Sequence, residues 1–119
     1  MVRTSSPDGI PDGAPNDPGV VNGTGNLIIG YNEPQTSLPG GSVSVKTGSH
    51  NLVVGPENRY FSYGGLVVGS QNTISGPFSS VSGGVFNIAS GNFSSVSGGN
   101  GHTASGDSNW AAGGLFEVN

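Results

Sequence analysis

Short runs of alternating apolar and polar residues, separated by glycines, recur along the second half of the chain. From Gly69 onward the sequence aligns with itself about every fifteen residues, and each unit holds two such runs, Asn-x-apolar-Ser and Ser-Ser-Val-Ser. Alternation over a few residues is typical of a β-strand, and the unit is too short and too glycine-rich for a helical hairpin. The pattern predicts an all-β fold, a parallel β-roll or β-solenoid whose coils of about fifteen residues stack roughly 4.8 Å apart.

Equivalent positions of successive units form columns, and alternation assigns the columns to opposite faces of each strand. The predicted core columns contain Ile74, Ala89, Ala104, Val81, Val96 and Ala111. A further column contains Asn26, Asn51, Asn72, Asn87 and His102. Amides stacked at the coil spacing can hydrogen-bond along the stack, so we expect a structural ladder. Ligand binding is the alternative role, but these residues recur within the repeat frame, which favours the ladder.

The chain divides into an arm and a repeat domain. Residues 1–22 are rich in proline, aspartate and glycine, which predicts an extended arm or linker. Residues 23–119 form the β-roll domain, with insertions near 31–47 and 56–63 that interrupt the repeat. The last unit, which ends in Leu115–Val118, departs from the repeat, and we expect it to cap the stack.

Three runs are apolar on both faces: Leu27–Ile29, Leu52–Val54 and Leu66–Val68. A strand of this kind is usually buried on both faces, so an insertion or another subunit should cover its outer face. Candidate recognition or packing residues in the insertions are Tyr31, Asn32, Glu33, Arg59, Tyr60, Phe61 and Tyr63. Insertions in solenoids often form a binding face, whereas aromatic residues more often bury than bind, and both interpretations stay open.

Composition narrows the classes of function. The net charge is −4 with only 3 Lys and Arg residues, which argues against nucleic acid as a partner. The sequence has no cysteine, no aspartate column for calcium and no Ser-His-acid set, so we expect no cofactor, no metal and no enzymatic activity. No apolar run reaches membrane-spanning length, so we expect no membrane insertion by this segment.

The repeat carries a family resemblance. The unit Asn87-Ile-Ala-Ser-Gly-Asn-Phe-Ser-Ser-Val-Ser-Gly-Gly99 resembles the repeats of YadA-like heads of trimeric autotransporter adhesins, and of related bacterial surface proteins built on an NTASGxxSSVSGG repeat. Residues 25–34 and 46–55 look like the entry segments of that group, so the resemblance covers about residues 23–119. It implies a left-handed roll, a homotrimer and display outside the cell. The sequence shows no coiled-coil stalk or membrane anchor of the kind found in that family.

These observations predict a structural and adhesive module, a trimeric β-roll of a bacterial cell-surface adhesin or extracellular fibre. Its expected partners are further copies of itself and a surface receptor that the sequence does not specify. One alternative is a subunit that polymerises into an extracellular filament through its N-terminal arm, and another is a segment of a phage tail fibre. Ice binding through columns such as Thr73/Thr103 is a further alternative, although Ile88 interrupts that row.

Overall fold

The structure, a computed structural model, describes residues 2–3, 25–35 and 44–112. Most of the predicted arm and the predicted cap at Leu115–Val118 lie outside these residues. The described part contains no helix, and therefore none that is long and apolar enough to cross a membrane. Its strands are β1 (Val2–Arg3), β2 (Leu27–Ile29), β3 (Leu52–Val54), β4 (Arg59–Tyr60), β5 (Leu66–Val68), β6 (Thr73–Ile74), β7 (Ser80–Val81), β8 (Ile88–Ala89), β9 (Ser95–Val96), β10 (Thr103–Ala104) and β11 (Trp110–Ala111).

The strands form two sheets. Sheet A has the order β1-β2-β3-β5-β7-β9-β11, and sheet B has the order β10-β8-β6-β4. From β3 onward the chain alternates between the sheets, and each strand pairs in parallel with its equivalent in the next coil, about fifteen residues later. Only β1 runs antiparallel, beside β2, among the described pairings. The predicted fold class is therefore confirmed: the chain is a parallel β-solenoid of about four turns.

The region near residues 56–63 differs from the predicted insertion. Arg59–Tyr60 is strand β4, which pairs in register with Thr73–Ile74 and so belongs to a regular coil. The sequence conceals this coil because Tyr60 takes the inward position that Ile74 occupies in the next coil, and an aromatic residue there does not match the repeat. The only interruption seen in the described residues falls between Gly30 and Lys46, since Lys46 already forms a bridge with Tyr60.

The core lies between the two sheets. Its sheet A column is Ile28, Val53, Val67, Val81 and Val96, and its sheet B column is Tyr60, Ile74, Ala89 and Ala104, all of them buried. Ala111 is partly buried and packs against this cluster. In sheet B the inward side chain shrinks from tyrosine to alanine along the stack, so later coils bury less apolar surface and depend more on backbone hydrogen bonds.

The turns share one backbone feature. Each strand that follows a turn is preceded, two positions earlier, by a residue with a positive φ. Examples are Glu57, with a φ of 58°, and Gly64, with a φ of 68°. The full set is Gly25, His50, Gly64, Phe78, Phe93 and Ser108 before sheet A, and Glu57, Gln71, Phe86 and Gly101 before sheet B. This conformation suits glycine and strains residues that carry a Cβ. The turn geometry is thus constant along the stack, while several side chains accept strain to maintain it.

Candidate functional site

The predicted asparagine ladder is divided between two columns. Asn26 and Asn51 lie directly before strands of sheet A, whereas Asn72, Asn87 and His102 lie directly before strands of sheet B. The sheet B column also begins one coil earlier, with Asn58, which is buried and was not predicted. The match between Gly55-Pro-Glu-Asn58 and Gly69-Ser-Gln-Asn72 could have identified this residue.

In sheet B, each asparagine joins its own coil to the next through backbone groups. Asn87 Oδ1 accepts a hydrogen bond from the backbone N–H of His102 at 2.9 Å. Asn87 Nδ2 donates to the carbonyl oxygens of Gly83 at 3.2 Å and Gly99 at 2.9 Å. The Asn87 backbone N–H in turn donates to Asn72 Oδ1 at 2.9 Å. The bonds therefore run from side chain to backbone rather than from amide to amide.

The sheet A column uses the same kind of acceptor, the side-chain oxygen of asparagine. Gly65 N–H donates to Asn51 Oδ1 at 2.8 Å, and Asn51 N–H donates to Asn26 Oδ1 at 2.8 Å. One direct amide contact also occurs, from Asn51 Nδ2 to Asn26 Oδ1 at 3.2 Å. Because these buried amides are committed to bonds within the roll, both columns hold the coils together and offer little to a ligand.

A polar cluster closes the end of sheet B nearest the N-terminus. Lys46 Nζ donates to Asn32 Oδ1 at 3.0 Å and to the carbonyl oxygen of Asn58 at 2.8 Å, and it lies 5.7 Å from the ring centroid of Tyr60. The Tyr60 hydroxyl also donates to Asn32 Oδ1, at 3.3 Å. A lysine on the inward column ends the apolar core with a charge. Burial lowers the pKa of Lys46, and the negative charges of Glu33 and Glu57 only partly oppose this.

We expect the lowered pKa of Lys46 to make the protein more stable in mild alkali. The unfolded chain binds this proton more tightly than the folded chain, so the free energy of unfolding rises with pH between the folded pKa and the ordinary value, about 10.4. Urea unfolding of the parent and of Lys46→Met between pH 7 and pH 10.5 measures this. The contribution of the tyrosines is common to both proteins and cancels in the difference between their free energies of unfolding. A parent-minus-variant difference that stays constant or falls with pH contradicts the assignment.

The predicted recognition residues are separated by the fold. Tyr60 lies in the core, and Tyr31 is exposed. Asn32 belongs to the polar cluster around Lys46, and Glu33 lies near that cluster. Arg59 places its guanidinium 5.1 Å from the ring centroid of Phe61, at β4 in sheet B, and Tyr63 lies in the following turn. These residues do not converge on one binding face.

The outer side of sheet A carries a continuous apolar surface, here called the aliphatic face. Its members extend over three neighbouring strands and are Leu27, Ile29, Leu52, Val54, Leu66 and Val68. All are at least partly accessible, with Ile29 44 % and Leu52 36 % exposed. Tyr60 does not cover this face, because it points into the core. Within the part of the chain that the structure describes, Ile29 and Leu52 thus present apolar surface to water.

A second apolar feature follows the turns that lead from sheet B into sheet A. Tyr63 and Phe78 meet edge to face with ring centroids 5.2 Å apart, and Phe78 and Phe93 lie in nearly parallel planes 5.9 Å apart. These three residues are called the aromatic ridge. The fifteen-residue repeat contains the Phe78/Phe93 column in its sequence, but nothing in the pattern shows that Tyr63 extends it.

Among the described residues, no group of three His, Cys, Asp or Glu side chains is placed to hold a metal ion. Comparison with known proteins gives no further guide, since no family model, curated protein or solved structure matches the chain.

Proposed function

We propose that this chain is a non-enzymatic structural and adhesive module, assembled as a homotrimer on a bacterial cell surface or in an extracellular fibre. The β-solenoid supports this proposal because stacked coils form a stiff rod with long side faces. The resemblance of residues 23–119 to YadA-like head repeats supports the trimer and a left-handed winding. Both stay predictions, as does a surface receptor.

The aliphatic face is the single observation that carries the proposal. Branched aliphatic side chains on three adjacent strands form an exposed patch, and patches of this kind on soluble proteins mark interfaces. The patch lies on the side of the rod, not at its end. Copies would therefore pack side by side about a common axis, and the rest of each roll would remain available for contacts.

Light scattering of the purified chain tests the self-association. We expect a mass of three times 11.8 kDa at low micromolar concentration. Leu52→Glu should shift the mass to that of one chain, because three adjacent copies of a new carboxylate would be desolvated and would repel one another. Ile88→Glu is a matched control, since Ile88 is 39 % exposed on sheet B.

Circular dichroism of each variant shows whether the strand signal is retained. A parent that is well folded and monodisperse at 11.8 kDa contradicts the trimer, and so does an equal response of Leu52→Glu and Ile88→Glu.

A filament remains the second candidate, because one observation favours it. Strand β1, from the predicted arm, pairs antiparallel with β2 through Val2↔Ile29 and Arg3↔Ile28. The same pairing between two chains would link copies through their arms, as in strand exchange. Electron microscopy of the parent and of a chain lacking residues 1–22 separates the candidates: filaments that depend on the arm favour polymerisation, and short particles in both samples favour the trimer.

A further inference from the structure

The aromatic ridge occupies a strained backbone position. Phe78 and Phe93 have φ values of 55° and 58°, and glycine takes the equivalent position in the preceding coil, at Gly64. A bulky residue is unfavourable there, and burial does not offset the strain, because Phe78 is 54 % and Phe93 62 % exposed. Other turns carry the same strain, so the feature that distinguishes Phe78 and Phe93 is that their exposed rings line up with each other and with Tyr63 along the stack.

The ridge lies in a stretch of sequence that is poor in charged residues. Between Tyr60 and Gly106 the sequence contains no Asp, Glu, Lys or Arg. The acidic residues that flank this stretch are Glu57, six residues before Tyr63, and Asp107, which accepts a hydrogen bond from the backbone N–H of Asn92, next to Phe93, at 3.1 Å. An anionic polymer needs cations to bind it, and the chain has no Lys or Arg after Arg59, while the Asp107 carboxylate beside the ridge would repel such a polymer. The scarcity of charge favours an uncharged ligand.

The geometry leaves ring surface available. The ring centroids of Phe78 and Phe93 lie 5.9 Å apart in nearly parallel planes, wider than the roughly 3.5–4 Å of closest ring contact. Because Phe78 is 54 % and Phe93 62 % exposed, ring surface is accessible to a ligand. Asn92, an exposed amide, directly precedes Phe93, and Tyr63 adds a phenol hydroxyl at the other end of the ridge. Rings and hydrogen-bonding groups thus lie side by side at the spacing of the coils.

We infer that the aromatic ridge binds a neutral polysaccharide. A sugar ring has an apolar face of C–H groups, which stacks on aromatic rings, and an edge of hydroxyls, which bonds to amides and phenols. A polymer of such units repeats along its length, as the ridge does. The inference rests on the proposed adhesive function and assigns it a class of ligand.

Affinity electrophoresis in native gels tests the inference with soluble neutral polymers: hydroxyethyl cellulose, xyloglucan and galactomannan. We expect at least one of them to retard the parent chain. The double variant Phe78→Gly/Phe93→Gly should bind at least about tenfold more weakly, because it removes the stacking surface. It should still fold, since glycine relieves the strain at both positions.

Phe86→Gly is the matched control. Phe86 has a φ of 58° and is 50 % exposed, but it lies in a turn that leads into sheet B, away from the ridge. Its variant undergoes the same chemical change and should bind like the parent. Retention of the parent by none of the three polymers overturns the inference, as does equal weakening by Phe86→Gly and by the double variant.

Light scattering of the same samples distinguishes the inference from the proposed assembly. A fall in mass on removing Phe78 and Phe93 would show that the ridge contacts a second copy, and it would overturn polysaccharide binding. An unchanged mass with lost retardation supports the inference. A parent of one-chain mass that is still retarded would contradict the trimer and leave the ridge assignment intact.

Discussion

Replacing Gly84 by alanine should destabilise the roll strongly, although the two residues differ by a single methyl group. Gly84 has a φ of 83°, and a methyl group at its Cα would overlap the carbonyl oxygen of Gly99 in the next coil and approach Asn87 Nδ2 to 2.7 Å. Neither neighbour can withdraw, because both hold the coils together. We expect a loss of about 3 kcal/mol or more in the free energy of unfolding, which lowers the melting temperature by roughly 10–20 °C.

Gly83→Ala provides an unusually close control. A Cβ at Gly83 has no atom within 4 Å, and its φ is not in the left-handed region. Alanine there also restricts the unfolded chain, so the stability should stay within about 1 kcal/mol of the parent or rise slightly. Thermal unfolding followed by circular dichroism compares the two variants. If both melt with the parent, the coils do not approach each other as closely as the structure shows.

Replacing Asn87 by leucine should have the second large effect. The substitution removes one acceptor and two donor contacts, and it leaves the N–H of His102 and the carbonyl oxygens of Gly83 and Gly99 without their side-chain partner. Leaving a buried polar group unsatisfied costs about 1–3 kcal/mol, so the total should be roughly 2–4 kcal/mol. Urea unfolding measures this loss.

Asn100→Leu tests whether position in the column, and not loss of any amide, causes the effect. Asn100 is exposed and lies outside the two asparagine columns, so its replacement should change the free energy of unfolding by no more than about 0.5 kcal/mol. Equal destabilisation by the two variants would remove the coil-linking role assigned to Asn87.

The repeat could be predicted from sequence because each coil makes the same demands. Val81 and Val96 recur since both face the core, and Gly69 and Gly84 recur since a Cβ at either would overlap the backbone of the next coil. The predicted core residues accordingly lie between the sheets, with only Ala111 part-buried. Such constraints are local and act at a fixed period, so they produce a repeat that can be recognised in the amino-acid sequence.

The sheet to which each asparagine belongs and the full extent of the aromatic ridge could not be predicted from the sequence. Asn51 and Asn72 occupy similar sequence contexts, yet one leads into sheet A and the other into sheet B, because both sheets need the same acceptor before the strand. Because both sheets use the same asparagine oxygen as an acceptor, the sequence pattern does not show which sheet follows a given asparagine. Tyr63 joins the ridge only because stacking places it next to Phe78.

Stacked parallel strands with a coil of about fifteen residues could be predicted from the amino-acid sequence, since period, alternation and glycine spacing are local properties. The three-dimensional structure was needed to show that Arg59–Tyr60 completes a regular coil, that Lys46 closes one end of the core and that Ile29 and Leu52 of the aliphatic face are accessible to water. These features depend on which coil lies beside which. Leu52 pairs with Leu66, fourteen positions later, whereas Thr73 pairs with Ile88, fifteen positions later, and Tyr60 is accommodated inside the roll. The stacked coils tolerate both changes, although each breaks the repeat along the sequence.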